Sequence, residues 1–439
     1  MGRGHRRGPK QLRFRTLLDS IGQHVDLIPE IRQTDRIQYP LQDFYRSGFA
    51  LFYLQDPSLL EFQKRFQEQV QSNNLNTVFG VESIPKDTQL REVVDMHGYS
   101  ALNGVFSEYF RRLQRAKQLN QYQFYEGRYL ITLDGSEYFN SEKVQCELCL
   151  QRKKSSGTVE YYHQILQPAL VHPQFSQVIP LAPEFIRVQD GSSKQDCETN
   201  AGKRAVQQIR SDHPQLSAII LGDSLYSTGP FVRYLQQRRF SFFLVAKPGD
   251  HKSLYQDIEG LRRGDLLDRL ETENKKGQPC LFEWVNQVDL NGQSDSPTVN
   301  YMQLTIFDSQ GQISYRNSWV TDILVTVDNV EHLVRGARTR WKIENEGFNT
   351  LKNQGYHLEH NFGHGKKNLS EAFFILNMLA FFMHQIFELV DRLYQQVRAS
   401  FSARTEYWNA VRSSFRMFIF DSWDQVLQRM NSPPQPAFG

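Results

Sequence analysis

The spacing of apolar residues changes along the chain and separates helical segments from strands. Over residues 17–125 apolar positions recur mostly at helical intervals, and we predict a helical region there. Two short apolar runs, residues 129–133 and 216–221, have instead the composition of buried strands. A helix over residues 230–238 and a strand over residues 240–246 follow the second run and complete a βαβ-like unit.

Residues 251–325 have a different pattern, because apolar and polar residues alternate at residues 281–288 and 301–307, with turn residues between them. This pattern predicts an antiparallel β insertion. Helical spacing returns at about residue 330, and residues 370–397 predict one long and mostly buried helix. Residues 137–146 are expected to pair with the first strand as a hairpin.

These changes predict an α/β protein of five segments. They are a helical N-terminal region (residues 1–125), the first part of an α/β core (126–250), the β insertion (251–325), the second part of the core (326–398) and a C-terminal helical tail (399–439).

Composition fits a globular protein but does not identify a partner. The 439 residues are 39% apolar and 23% charged, and the net charge is only +3. Polar residues interrupt the most apolar stretch, residues 372–389, so no membrane span is predicted. Four cysteines in so long a chain do not indicate a disulfide framework, which favours the reducing cytosol.

Three acidic residues occupy the most informative positions in this pattern. Asp134 and Asp223 each follow one of the two apolar runs, whereas Glu344 lies on the apolar side of a predicted helix over residues 340–352. A buried carboxylate is costly unless it is paired or binds a metal, and Arg340, one turn earlier, is the alternative partner. Three converging carboxylates would suit two Mg²⁺ or Mn²⁺ ions, an arrangement that supports phosphodiester cleavage.

Glu346 is the rival third acid. At about 100° per residue, Glu344 shares its side of the helix with Trp341 and Phe348, whereas Glu346 falls on the polar side with Lys342. We therefore predict that Glu344 faces the two aspartates and that Glu346 faces solvent.

Three motifs resemble those of the DDE transposases of bacterial insertion sequences. Residues 132–139 (Thr-Leu-Asp-Gly-Ser-Glu-Tyr-Phe) resemble the first motif, residues 222–226 (Gly-Asp-Ser-Leu-Tyr) the second and residues 340–344 (Arg-Trp-Lys-Ile-Glu) the third. The interval from Asp223 to Glu344 is longer than that between the aspartates. It holds the β insertion, as in the subgroup with an all-β insert before the glutamate.

The resemblance covers roughly residues 126–395 and implies a ribonuclease-H-like catalytic core interrupted by the β insertion. It implies a transposase that cuts double-stranded DNA at element ends and joins the ends to target DNA, as a homodimer at the nucleoid of the bacterial cytoplasm. It also implies that Asp134, Asp223 and Glu344 hold two Mg²⁺ (or Mn²⁺) ions and that Arg340 and Lys352 contact the DNA ends.

Two positions depart from the pattern of that subgroup. Ala337 stands where the subgroup has a tyrosine three residues before the arginine. Lys352 follows Glu344 by eight residues rather than seven.

Two basic segments are candidate DNA contacts. Residues 1–16 contain six basic residues and no acid, and residues 107–117 place Arg111, Arg112 and Arg115 on one predicted helix. Basic faces of this kind bind phosphate, although a solvated surface is the alternative for both.

Cys146 and Cys149 have the spacing of half a structural Zn²⁺ site. His163 and Cys197 are candidates to complete it, and a pair of buried thiols is the alternative. A second group, His357, His360 and His364 with Glu359, lies in a glycine-rich turn, where we favour structural histidines over metal or phosphate contacts.

Two further functions stay open at this point. One is a ribonuclease-H-like nuclease or resolvase that cuts without joining, which a strand-transfer assay would distinguish. The second is a non-catalytic DNA-binding protein descended from a transposase, which would not need to bind magnesium at the three acids.

Overall fold

A computed structural model describes residues 8–66, 69–188 and 196–432. Twelve strands within these ranges form one sheet. The strands are β1 Gln123–Tyr125, β2 Arg128–Ser141, β3 Leu150–Lys153, β4 Val159–Val171, β5 Ile179–Pro180, β6 Glu184–Ile186, β7 Ala218–Gly222, β8 Ser241–Val245, β9 Asp268–Glu273, β10 Pro279–Asp289, β11 Thr298–Phe307 and β12 Ile313–Thr321.

The main path through the sheet runs in the order β3-β4-β2-β7-β8-β12-β11-β10-β9. The central strands β2, β7 and β8 are parallel, and the strands on both sides of them are antiparallel. Both faces of the centre are covered, which is why β7 is buried along its whole length.

Fifteen α-helices lie in the described ranges, with a six-residue π-helix, Ile343–Phe348, between the tenth and the eleventh. They are α1 Phe14–Val25, α2 Leu41–Tyr53, α3 Leu59–Phe66, α4 Gln69–Phe79, α5 Asp87–His97, α6 Asn103–Arg115, α7 Glu198–Asp212, α8 Gly229–Gln237, α9 Lys252–Arg263, α10 Val330–Arg338, α11 Asn349–Asn353, α12 Leu369–Val390, α13 Arg392–Ala399, α14 Arg404–Met417 and α15 Trp423–Asn431.

Helix α12 is the centre of the helical part of the molecule. It contacts α2, α5 and α6 from the N-terminal region as well as α13. Its length and apolar composition would suffice to cross a membrane, but 83% of its most apolar window is buried against these neighbours, as in a core helix. Its buried polar side chains have partners: Asn377 donates to the carbonyl of Tyr356 at 3.0 Å, and Gln385 accepts from the amide of Val178 at 3.1 Å.

The predicted helix over residues 370–397 is interrupted at Asp391. The backbone there is extended, and the Asp391 carboxylate accepts hydrogen bonds from the amides of Leu393 and Tyr394, so that it caps α13. The five-segment division stays a prediction. The N-terminal helices nevertheless share one apolar core with α12 and the C-terminal helices.

The β insertion is present but is not separate from the core sheet. Strands β10 and β11 lie where alternation predicted strands, whereas β9, β12 and α9 were not predicted. Strand β12 pairs with β8 through Trp319 and Val245, and this pairing makes the insertion a continuation of the central sheet. Its strands therefore cover one edge of the parallel centre.

The first residues of the chain were predicted to form a basic arm. The structure describes this segment from residue 8 onward, and there it is packed: Leu12 and Phe14 are buried, and α1 begins at Phe14. Arg3, Arg6 and Arg7 lie outside the described residues.

Candidate active site

Strands β2 and β7 bring Asp134 and Asp223 side by side. Thr132 is paired with Leu221, and each aspartate lies two residues further along in the same direction. Because neighbouring strands are about 4.8 Å apart, the two carboxylates share one end of the parallel centre.

The expectation that the first strand ends at Asp134 is wrong. Strand β2 continues to Ser141, and its partner is β4, in which Gln167 is opposite Asp134. The predicted hairpin partner over residues 137–146 is also wrong, since most of that segment belongs to β2 itself or to the loop that follows. What ends near Asp134 is the pairing with β7, whose last pair joins Thr132 to Leu221.

Glu344 lies in the π-helix, and this changes the direction in which it points. A π-helix has hydrogen bonds from residue i to i+5, so the 100° step of an α-helix does not hold there. The prediction of a Glu344 centred on a buried face is therefore wrong, because 48% of its side chain is exposed. Phe348 is buried as predicted, and Ile343 and Gly347 are buried with it.

Two neighbours of Glu344, which come just before the π-helix, also differ from their predicted positions. Trp341 was expected to pack on the sheet but is 43% exposed. Lys342 was expected to face solvent but is buried, and its ammonium group donates to the carbonyl of Phe175 at 2.6 Å. Glu346 is half-buried rather than fully outward.

Arg340 connects the first and the third acid. Its Nη1 lies 3.0 Å from Oδ1 of Asp134, and its Nη2 lies 2.6 Å from Oε1 of Glu344. Burial alone would lower the pKa of Arg340, but the charges of the two acids outweigh burial and raise it. The guanidinium therefore stays charged between β2 and the π-helix.

The electrostatic environment of Asp134 shows that several acids converge on it. Burial raises the pKa of Asp134 to about 7; Arg340 lowers it, whereas the charges of Glu344, Glu198 and Asp223 raise it further. Each of these acids is thus close enough to Asp134 to affect its ionisation.

Glu198 is the site residue that sequence reasoning missed. It lies in the first turn of α7 and accepts a hydrogen bond from the hydroxyl of Tyr226 at 2.8 Å. Its pKa is raised by burial in the first place and also by the charge of Asp223, while its hydrogen bonds to Tyr226 and to the amide of Gly135 oppose the increase. In the sequence, an acidic residue in the first turn of a helix indicates only a favourable interaction with the helix dipole.

Gly135 has a steric reason to follow Asp134. A Cβ atom at this position would lie 2.3 Å from Oε2 of Glu198, so any larger residue would displace that carboxylate. The Asp-Gly pair therefore reflects close packing of β2 against the start of α7.

A comparison with protein families identifies a matching family model. Residues 152–382 match the family model described as the transposase DDE domain, which is more than half of the 439 residues. The chain belongs to the DDE transposase family. No curated protein matches this DDE transposase.

The family match contains two of the three acids. Asp223 and Glu344 lie within the matched residues, and Asp134 lies before them. The mixed α/β fold, with its parallel centre and its helical N-terminal region, agrees with the predicted ribonuclease-H-like core of a DDE transposase.

The other predicted DNA contacts of this DDE transposase lie in different surroundings. Lys352 forms an ion pair with Glu359 at 2.8 Å. Arg111 and Arg115 are exposed on α6. Arg112 instead turns inward, where its Nε donates to Glu108 at 2.9 Å and its Nη2 donates to Ser20 at 2.9 Å. It therefore holds α6 against α1, and the prediction that it shares one exposed basic face with Arg111 and Arg115 is wrong.

The cysteine pair has two histidine neighbours. Cys146, Cys149, His163 and His364 place one potential ligand atom each within 4.8 Å of one another. Cys197, the other candidate ligand, is exposed and precedes α7, so the expectation that it completes the group is wrong. His364 was predicted to have only a structural role and was not connected with the cysteines.

Proposed function

We propose that this DDE transposase cuts DNA at the ends of a mobile element and joins them to target DNA by phosphoryl transfer. Asp134, Asp223 and Glu344 would hold two Mg²⁺ or Mn²⁺ ions. The observation that carries the proposal is the convergence of these three acids, from three distant segments, at one end of the parallel strands.

The residues of the site fit hard divalent cations. Carboxylate oxygens are the ligands that Mg²⁺ and Mn²⁺ prefer. The pKa of Asp134 is raised to about 7 by burial and by the neighbouring acids, so that bringing more positive charge to the cluster would favour its ionised form. When bound, two such ions activate an attacking oxygen and stabilise a leaving one.

The residues of the chain have distinct parts in this chemistry. Water attacks at the element end, and the freed 3′-hydroxyl then attacks the target, so no covalent bond forms between DNA and protein. The three acids would hold the ions that supply this activation. Arg340, already oriented by Asp134 and Glu344, offers its guanidinium to a DNA phosphate next to the reacting one.

The DNA substrate requires a basic surface outside the acidic site. Arg111 and Arg115 on α6 are exposed and supply such a surface in the N-terminal helical region. Lys352, although paired with Glu359 at 2.8 Å, lies eight residues after Glu344 and is a second candidate contact. Because pairing two element ends needs two active sites, the protein would work as a homodimer on DNA, at the nucleoid of the bacterial cytoplasm.

A strand-transfer assay tests the proposal. Purified full-length protein is incubated with Mg²⁺, a supercoiled target plasmid and DNA carrying the inverted repeats that flank its gene. Cleaved ends and joined products are expected with the wild type and are expected to be absent with Asp223→Asn. Cleavage without any joining would favour the nuclease or resolvase, and binding without cleavage would favour a non-catalytic descendant.

A further inference from the structure

Four side chains from three segments meet beside the far end of β2. Cys146 and Cys149 come from the loop before β3, His163 from β4 and His364 from the segment before α12. Sγ of Cys146 lies 3.7 Å from Sγ of Cys149 and 3.3 Å from Nε2 of His163. Sγ of Cys149 lies 3.5 Å from Nε2 of His163 and 3.4 Å from Nε2 of His364.

These distances are those of a tetrahedral zinc site. With Zn–S bonds of about 2.3 Å and Zn–N bonds of about 2.05 Å, tetrahedral geometry separates two sulfur ligands by about 3.8 Å and a sulfur from a nitrogen by about 3.6 Å. Each distance above is within a few tenths of an ångström of these values. The agreement extends to His364, which is 215 residues from Cys149 and was brought there by the fold alone.

Neither a disulfide bond nor ordinary hydrogen bonding accounts for the cluster. A disulfide needs a sulfur–sulfur distance of about 2.05 Å, and both cysteines are free thiols. Thiols are weak hydrogen-bond donors, so hydrogen bonding gives little reason to bury two thiols and two imidazoles together. Cys149, His163 and His364 are nonetheless buried.

Aromatic rings cover the two histidines of the cluster. The ring of Tyr138 stacks on His163 with 5.5 Å between centroids, and the ring of Phe139 lies 4.1 Å from that of His364. A site closed by protein ligands and aromatic rings is typical of structural rather than catalytic zinc, because no position is open for a substrate.

We propose that Cys146, Cys149, His163 and His364 bind one structural Zn²⁺ ion. The ion would join the two segments that carry the first and the third acid. His163 is opposite Phe139 in β2, five residues beyond Asp134, and His364 follows Glu344 by twenty residues. A bond between these segments closes a loop of about two hundred residues, and long closures stabilise the folded state most in the chain-entropy description.

The backbone around His364 is arranged for this bond. Gly363 and Gly365 on either side of it have positive φ angles of 144° and 70°, which give the chain a sharp turn. The amide of Glu147, next to Cys146, donates to the carbonyl of Lys366 at 3.2 Å. Asp95 of α5 accepts hydrogen bonds from backbone amides just after His364, including that of Lys366 at 2.9 Å. Hydrogen bonds to the cysteine loop and to α5 thus hold the turn in place.

Metal analysis of the full-length wild-type protein is the first test. Protein purified without chelator is expected to contain about one zinc per chain, held at a closed site. Exchange for Co²⁺ is expected to produce the visible absorption of a tetrahedral thiolate complex. A zinc content near zero, with no cobalt spectrum from the intact chain, would overturn the proposal, and this test does not depend on any variant that might not fold.

Variants then identify the ligands. Cys149→Ser and His364→Asn are expected to lose zinc and to unfold at a lower temperature, whereas Cys280→Ser and Cys197→Ser keep it, since neither cysteine belongs to the cluster. Asp223→Asn is also expected to keep zinc, which distinguishes this site from the proposed catalytic one. Undiminished zinc in His364→Asn would overturn the four-ligand assignment.

Discussion

Nη1 of Arg340 lies 3.0 Å from Oδ1 of Asp134, although 206 residues separate them in the sequence. The same guanidinium pairs with Glu344 through its other terminal nitrogen. One side chain therefore links the strand that carries the first acid to the helix that carries the third. Any change at Asp134 acts on this connection as well as on the proposed metal site.

Cleavage should fail when either aspartate loses its charge. Asp134→Asn and Asp223→Asn keep the size of the side chain but remove a carboxylate oxygen ligand. We expect less than about 1% of the wild-type cleavage rate with Mg²⁺, a loss of at least about 2.7 kcal/mol. DNA binding in a gel-shift assay should remain. Glu137→Gln, three residues beyond Asp134 and paired with Arg152, is the matched control and should still cut. Near-normal cleavage by either aspartate variant would mean that the site is misassigned.

The raised pKa of Asp134 predicts a pH dependence of stability. Its pKa is about 7 in the folded protein, against about 3.9 for an ordinary aspartate in an unfolded chain. Between these values the folded state holds the extra proton, so the free energy of unfolding falls as pH rises, by at most about 1.4 kcal/mol per pH unit from this group. Below about pH 4 Asp134 is protonated in both the folded and the unfolded state, so it no longer makes stability depend on pH.

Asp134→Asn should lack this loss of stability. Thermal unfolding in Mg²⁺-free buffer should show the variant more stable than the wild type at pH 8, and the difference should shrink towards pH 4. If the melting temperatures of the two proteins instead changed in parallel with pH over this range, the raised pKa of Asp134 would be contradicted. For the same reason, less Mg²⁺ should be needed for half-maximal cleavage at pH 8 than at pH 6, because protons compete with the metal for Asp134.

Glu198 should affect metal affinity more than it affects the chemistry. Glu198→Gln retains an oxygen that can accept from Tyr226 but removes a negative charge beside Asp134 and Asp223. We expect the Mg²⁺ concentration for half-maximal cleavage to rise by about 10- to 100-fold, as for other groups next to a metal site. Tyr226→Phe, which leaves the charge of Glu198 in place, is the control and should change this Mg²⁺ concentration less. Failure of high Mg²⁺ to restore cleavage would show that Glu198 acts in the reaction or in folding.

The basic helix α6 offers a comparison between neighbouring arginines. Arg111→Gln combined with Arg115→Gln removes two exposed charges, so DNA affinity and its dependence on salt should both decrease while the melting temperature stays constant. Arg112→Gln breaks hydrogen bonds to Glu108 and Ser20 and should cost roughly 1.5–3 kcal/mol of stability instead. Deleting the N-terminal helices would not test this, because α12 would lose its cover. Unchanged binding by the double variant would place DNA recognition elsewhere.

The parts of the site that could be predicted are those set by local pattern. The positions of Asp134 and Asp223 were predicted because buried strands have a recognisable composition, and the parallel pairing of β2 with β7 brings the two residues together. Glu344 was found through its motif, although its orientation was not, because nothing in residues 340–352 distinguishes a π-helix from an α-helix. The Cys146 and Cys149 pair was visible by its spacing for the same local reason.

The parts that could not be predicted depend on contacts between distant segments. Glu198 joins the site through Tyr226 and Gly135, and His364 joins the cysteines across 215 residues. Strand β12 extends the core sheet because its end meets β8, which no periodicity within the insertion reveals. In each case the residue type is common at such a position in the sequence. The contacts that give it a role form only when distant segments come together in the folded protein.

Glu344, and not Glu346, should be the third catalytic acid. Arg340 connects Glu344 to Asp134, and the charge of Glu344 contributes to the raised pKa of Asp134. Glu346 instead acts on the buried Lys342, whose pKa burial lowers and Glu346 raises. Glu344→Gln should therefore abolish cleavage while DNA binding and the melting temperature remain. Glu346→Gln should cut normally and lose under about 1 kcal/mol of stability. The test is a cleavage assay of both variants with Mg²⁺, and inactivity of Glu346→Gln beside an active Glu344→Gln would mean that the π-helix presents the other acid to the two aspartates.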